Sequence, residues 1–278
     1  MNQNNFINNS WSKFIEIKGK DSAFFLQGLI TNDINKCTYE NPIYSCLLSP
    51  QGKFLADFFI SKLENQYLIE IHEKYFINFF NKLNLYKLRS EVELKENTDL
   101  KSYIILTKDK PKFIEKNYLF VDPRNSNIGY KIYVDKNSKI LSKYDRLDYK
   151  NYKELLIKYL IPNSAYDLIE NKSLLLENNF QNINAIDWNK GCYVGQELTA
   201  RMKYRALLKK RLYSLEIISG QIEVDEKILL QKINIGQVIS KSNKYIICML
   251  KINAVEELAK NKNCLNINNS VILKFLQF

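Results

Sequence analysis

The chain has little glycine and less proline, 8 and 5 copies in 278 residues. Average usage of about 7% would supply roughly 19 glycines. A glycine retained against such a bias marks a place where a side chain does not fit, at positive φ or under a close backbone approach. Histidine is scarcer still, with His72 the only copy. One imidazole excludes a histidine-rich metal site, and any Ser–His or Cys–His chemistry has to use that residue. The five cysteines, Cys37, Cys46, Cys192, Cys248 and Cys264, form no CxxC pair, which argues against a zinc site or a cluster held by this chain alone. Their odd number, and an N-terminus (MNQNNFINNSW) without a basic then apolar leader, point to free thiols in a reducing compartment. The location expected from these features is cytoplasmic. Apolar runs such as IYSCLL and FLADFFI fall far short of the ~20 residues that cross a bilayer, so no membrane partner is expected.

Aromatic residues are plentiful, with 18 Tyr and 15 Phe, and apolar residues make up 46% of the chain. That composition excludes wholesale disorder. Lys+Arg is 41 against 30 Asp+Glu, a formal charge of +11. Lysine is spread throughout, so most of this charge reads as a solvated surface. The densest cluster is RMKYRALLKKR (201–211), and it is the one candidate RNA contact.

The periodicities are mixed. FIEIK (14–18) reads as a strand, followed by a helix through SAFFLQGLI with Asp21 as its cap. IYSCLLS (43–49) and FLADFFI (54–60) form a hairpin turned by Pro50-Gln51-Gly52-Lys53. QYLIEI (66–71) is a third strand, and apolar Phe76, Phe79, Phe80 and Leu83 give the next segment helical spacing. KPKFIEKN (110–117) reads as a loop, Tyr152–Leu160 as a helix, and 163–187 as irregular. Strand-like runs return from Lys209 onward. The fold class is α+β, with a boundary near residue 206.

The informative segment is Lys190-Gly191-Cys192-Tyr193-Val194-Gly195-Gln196-Glu197. It holds a thiol between two of the scarce glycines. A cation two residues before Cys192 would favour its thiolate, and Gln196 and Glu197 open a helix. By chemistry alone the segment reads equally as a reactive loop or as a helix cap with an inert free cysteine.

KGCYVGQE resembles the signature of the YgfZ family of folate-binding proteins, which includes a mitochondrial iron–sulfur assembly branch. FLQGLITNDI (25–34), LLSPQGKFLADFFI (47–60), LRSEVEL (88–94), VDPRNSNIGYKIYV (121–134) and ELTARMKYR (197–205) resemble further family motifs, in order. The resemblance implies the fold of the glycine-cleavage aminomethyltransferase. That fold is a cloverleaf of α+β subdomains with a C-terminal β-barrel-like part. Residues 1–206 would form the folate-binding region, with an inserted subdomain at about 43–145, and 207–278 the C-terminal domain. It implies tetrahydrofolate or a derivative as ligand, contacted by Trp11, Asn32, Asp33, Tyr152, Glu177 and Arg201. Cys192 becomes the candidate catalytic thiolate. The implied partners are the iron–sulfur assembly machinery or client iron–sulfur enzymes.

Two departures shape the functional expectation. Lys158 stands where the folate enzymes carry a carboxylate for the pterin, and lysine offers an amidine edge only donors. Around 71–83 the only acid is Glu73, so the catalytic aspartate of the transferases has no counterpart. The expected function is therefore a folate-binding accessory factor in iron–sulfur cluster assembly or repair. The alternatives are a one-carbon transferase and an RNA-facing factor of tRNA modification. Asp57, inside an apolar strand, needs a partner such as Arg89.

Overall fold

The computed structural model describes residues 5–107, 109–111, 118–142, 144–205, 207–259, 264–267 and 271–276. The chain divides into two units, each with its own sheet structure. One comprises Met1–Tyr149, Glu170–Lys172 and Gln181–Gln196; the other comprises Lys150–Ile169, Ser173–Phe180 and Glu197–Phe278.

The first unit holds two five-stranded sheets. One runs in the order Ile43–Leu48, Phe54–Lys62, Gln66–His72, Ser12–Lys18, Glu93–Asn97, with antiparallel neighbours throughout. The expected hairpin is its edge. In its turn Ser49 N donates to Lys53 O (2.8 Å) and Gly52 N to Ser49 O (2.8 Å). All six residues of Ile43–Leu48 are buried, so this edge is covered rather than offered for pairing. The helix Glu73–Lys87 buries Phe76, Phe79 and Leu83 of the expected stripe, together with Tyr75, while Phe80 is half-buried. His72 caps it, its Nδ1 accepting from Lys74 N at 3.1 Å.

The other sheet runs Asp145–Arg146, Asn5–Asn8, Leu100–Leu106, Tyr130–Asp135, Tyr118–Val121. A buried polar knot sits where side chains of the two sheets meet. Glu70 Oε1 accepts from Asn9 Nδ2 (2.7 Å) and Ser12 Oγ (2.6 Å), Oε2 accepts from the Tyr133 hydroxyl (2.8 Å), and Lys131 Nζ lies 2.9 Å from Oε2. Burial works to raise the Glu70 carboxyl, but Lys131 and the hydroxyl donors hold it below its ordinary value. Both oxygens of this desolvated carboxylate are therefore paired with donors, the condition for tolerating a buried charge.

The second unit is built on a six-stranded sheet in the order Lys227–Leu230, Ile233–Lys241, Tyr245–Lys251, Lys210–Ser219, Val271–Phe275, Cys264–Ile267. Its two edge strands approach within 8 Å between Cα atoms, so the sheet curls toward closure as a barrel-like part should. Leu215, Ile228, Val238, Ile246, Cys248, Leu250 and Leu273 fill its interior. The helix Tyr149–Lys158 lies against it through Ile157, which clusters with Leu212, Tyr245 and Ile247.

Two local expectations change and a third lies mostly outside the described residues. Asp21 makes no side-chain cap on the helix Ser22–Gln27; its Oδ2 accepts from Glu91 N at 2.8 Å instead. The stretch 163–187 is irregular in backbone, apart from the short helix Ser164–Asp167, but Leu175, Leu176, Phe180, Ile183 and Ala185 are buried. It is interior chain rather than a polar loop. Most of KPKFIEKN, residues 112–117, lies outside the described residues.

Candidate functional site

The cysteine loop belongs to the first unit and is laid along the turn that follows the helix Ser22–Gln27. Thr31 Oγ1 donates to Ala185 O (2.6 Å), Asp187 N donates to Thr31 O (3.0 Å), and Val194 N donates to Gly28 O (3.0 Å). A helix end leaves its last carbonyls without intrahelical partners. Lys190 serves the last of them, Gln27 O, and two carbonyls of the turn beyond. Its Nζ donates to Gln27 O at 2.8 Å, Ile30 O at 2.5 Å and Asn32 O at 2.9 Å. An ammonium has three protons, and each meets a carbonyl. Burial pushes the Lys190 ammonium down to about 8, against the pull of Asp33 and Asp187, which favour its charge. Burial likewise works to raise Asp187, but the ion pair with Lys36 and the Asn189 N–H hold it low. The Tyr193 ring lies 5.0 Å from Lys190 Nζ and is buried. Lys190 therefore braces the loop; its protons face carbonyls rather than the Cys192 thiol.

The two glycines around Cys192 differ. Gly195 has φ +79°, and a Cβ there would meet Ser49 O at 2.3 Å, so the fold itself requires glycine. Gly191 has no positive φ, and a Cβ there would meet nothing within 4 Å. Between them Cys192 is exposed, as is Cys264, while Cys37, Cys46 and Cys248 are buried. Desolvation raises all three buried thiols, Cys37 to about 12, which leaves them protonated and inert.

Asn32 and Asp33 shape the same turn. Asn32 Nδ2 donates to Tyr44 O (2.9 Å) and Asn184 O (2.8 Å), while its Oδ1 accepts from Asp33 N (2.8 Å). Asp33 Oδ1 accepts from Asn35 N and Gln27 Nε2, each at 3.0 Å. Trp11 is half-buried, stacked on His72 (centroids 6.2 Å apart, 27° between planes) and edge-on to Tyr149 (4.8 Å). Burial lowers His72 below its ordinary value, so its ring is neutral at pH 7, although Asp57 and Glu73 favour its charge. Asp57 itself accepts from the Tyr44 hydroxyl. Arg124 is bidentate to Asp122 (Nη2–Oδ2 2.7 Å, Nε–Oδ1 3.0 Å) and stands over the Phe59 ring at 4.9 Å. Residues 122–124 thus fix a turn. Asp57, His72 and Tyr44 form a polar group; the sequence had suggested Arg89 as the partner of Asp57 and gave no sign of Tyr44.

Apart from Gln196, which ends the first unit, the remaining site candidates belong to the second unit. Tyr152 is buried. Glu177 faces Lys210 (3.5 Å), and its carbonyl accepts from Leu212 N (2.9 Å). Gln196 begins the helix Gln196–Tyr204. Glu197 and Arg201 pair with each other on its exposed face at 2.6 Å, a contact worth about 0.3–0.5 kcal/mol. Lys158 Nζ lies 5.6 Å from the Tyr159 ring. In the basic cluster Arg201 and Lys210 face carboxylates, and Arg211 lies 4.8 Å from the Tyr213 ring. Among the described residues, no group of three or more His, Cys, Asp or Glu side chains gathers as a metal site would require.

No protein-family model matches the chain. It is similar to curated proteins described as iron–sulfur cluster assembly factor IBA57 homologues, mitochondrial. Identity is 32% over 224 residues with the protein of Mycosarcoma maydis, covering 72% of this chain and 54% of that one. It is 30% over 258 residues with that of Neurospora crassa, covering 81% and 59%. With the mouse protein it is 26% over 227 residues, covering 73% and 63%. The chain thus spans little more than half the length of the first of these relatives. Among solved structures it is similar to the glycine cleavage system aminomethyltransferase T of Bartonella henselae, with a TM-score of 0.76 at 12% identity, covering 98% of this chain and 85% of that one. The α+β aminomethyltransferase fold expected from the motifs is therefore the observed one. The cytoplasmic location expected from composition is corrected, because the relatives are mitochondrial proteins.

Proposed function

We propose that the chain is an accessory factor in iron–sulfur cluster assembly, with the Cys192 thiol as its working group and the assembly machinery or its client enzymes as partners. The relatives that carry this role in their names are similar over 72–81% of the chain. The observation that carries the reading is the pairing of an exposed thiol with a bare neighbour. Cys192 is open, and among the described residues no contact explains the missing side chain at Gly191. What Gly191 leaves clear is the approach to Cys192 from outside. One thiolate is too few to hold a cluster, so Cys192 serves as a single ligand in a site shared with another protein. The cluster is cargo.

Tetrahydrofolate is the small molecule we propose for this fold. The half-buried Trp11 ring is the stacking candidate that the motif resemblance names, but the same resemblance puts Lys158 at the pterin position, where it brings only donors to an amidine that needs acceptors. The fit is incomplete, and no chemical step is assigned to folate. Titration calorimetry with tetrahydrofolate, on wild type and Lys158→Glu, tests it. Binding by wild type supports the assignment, and binding by Lys158→Glu alone removes it.

The thiol is tested in cells lacking the native copy. Cys192→Ala and Cys192→Ser should each fold and should each fail to restore an iron–sulfur client enzyme. Full restoration by Cys192→Ala would falsify the reading. The transferase and RNA readings have no comparable support: Glu73 is an exposed residue at a helix start, and two of the basic side chains of 201–211 already face carboxylates.

A further inference from the structure

The first unit places one buried ammonium at the junction of two segments about 160 residues apart, where it braces the cysteine loop. Lys190 sits two residues before Cys192. Its three protons reach the carbonyls of Gln27, Ile30 and Asn32 at 2.8, 2.5 and 2.9 Å. Asn32 is in turn braced by Tyr44 O and Asn184 O, and the far side of the loop is closed by Gly195 against Ser49 O. Cys192 is thus held between two anchored points while remaining exposed itself.

We propose that Lys190 is a positioning residue for Cys192: its ammonium gathers the three carbonyls of the 27–32 turn and thereby fixes where the thiol is presented, without acting on the thiol's proton. The proposal rests on the reading of Cys192 as the working group. The geometry explains the choice of residue. Three acceptors converge on one nitrogen, which suits a tetrahedral ammonium. A guanidinium distributes its donors over three nitrogens in a planar fork and cannot point three of them at one spot. A neutral isostere leaves three buried carbonyls unpaired. Asp33 and Asp187 are the carboxylates facing Lys190, and they favour its charged, three-donor form.

The test uses the full chain as wild type, Lys190→Met, Lys190→Arg and Cys192→Ala. One readout is the pH profile of Cys192 alkylation by iodoacetamide, followed on the Cys192 peptide by mass spectrometry. The other is restoration of an iron–sulfur client enzyme in cells lacking the native copy. The expected result is an alkylation midpoint within about 0.3 pH units of wild type in Lys190→Met, a difference worth about 0.4 kcal/mol, with client activity reduced about tenfold or more in both lysine variants. Two results overturn it. A midpoint raised by about half a unit or more in Lys190→Met would mean that the ammonium stabilises the thiolate directly. Wild-type client activity in either variant would mean that thiol presentation does not need the clasp. If Lys190→Met does not fold, Lys190→Arg decides alone: a tenfold loss with an unmoved midpoint carries the proposal, and full activity ends it. Cys192→Ala separates the two levels. If it restores the client, the functional reading fails; if it is inactive while the lysine variants are not, only the positioning role fails.

Discussion

Gly195 and Gly191 stand four residues apart on either side of one cysteine, and they are glycine for opposite reasons. Gly195 combines positive φ with a backbone oxygen 2.3 Å from where a Cβ would be; no other residue fits the fold there. A Cβ at Gly191 would meet nothing within 4 Å among the described residues. The inward half of the loop, Lys190 and Gly195, answers to packing. The outward half, Gly191 and Cys192, is exposed, and the proposed function gives it an approaching partner. Scarcity of glycine marks both and separates neither, because a short inventory of glycines does not say which side of the chain each one clears.

That contrast can be broken by measurement, and Gly195 should give the largest effect. Gly195→Ala incurs both left-handed strain and overpacking, about 3 kcal/mol together, read as a lowered denaturant midpoint. A loss below about 1 kcal/mol would mean that the Ser49 turn yields easily. Lys190→Met comes next, at about 2 kcal/mol near pH 7 for stranding buried carbonyls.

Its pH dependence sharpens the point. The folded Lys190 ammonium titrates at about 8, below the unfolded value of 10.5. Between those values the unfolded chain binds more protons than the folded one. Stability contributed by Lys190 therefore rises with pH from about 8 to about 10.5, and its penalty is fully present below 8. The gap between wild type and Lys190→Met should widen across that window and stay flat below it. A gap that narrows would mean that the ammonium is not desolvated.

Gly191→Ala should lie within about 0.5 kcal/mol of wild type and still lose client restoration. A stability loss like that of Gly195→Ala would erase the distinction between the two glycines. Smallest of all, Glu197→Ala or Arg201→Ala should change stability by about 0.5 kcal/mol or less, since the pair is solvent-exposed.

Much of the architecture was legible in the chain. The hairpin at 43–62, the helix at 73–87 and the C-terminal strands follow from period-2 and period-3.6 patterns, which local sterics enforce without help from elsewhere. The cysteine motif stood out through the cost of glycine. What stayed hidden were contacts across long separations. Asp21 looks like a helix cap, yet it accepts from Glu91 N, 70 residues away. Asp57 was matched with Arg89, and the structure gives it the Tyr44 hydroxyl across the hairpin. Lys190 looked like a cation for a thiolate, yet its protons go to carbonyls near residue 30. A donor chooses among acceptors by distance, and distance across a chain is set by the fold.

The sequence by itself therefore determined the element types and singled out the segment proposed to carry the chemistry, because propensity, periodicity and a glycine-bounded motif are local properties, while the aminomethyltransferase-like class came from the resemblance of its motifs. Only the tertiary structure decided which side of that segment is pinned and which is open. Lys190 and Gly195 are fixed by partners at residues 27–32 and 48–52, which lie more than a hundred residues away in the chain. Burial and hydrogen-bond pairing of those groups exist only once the turn and the loop have come together.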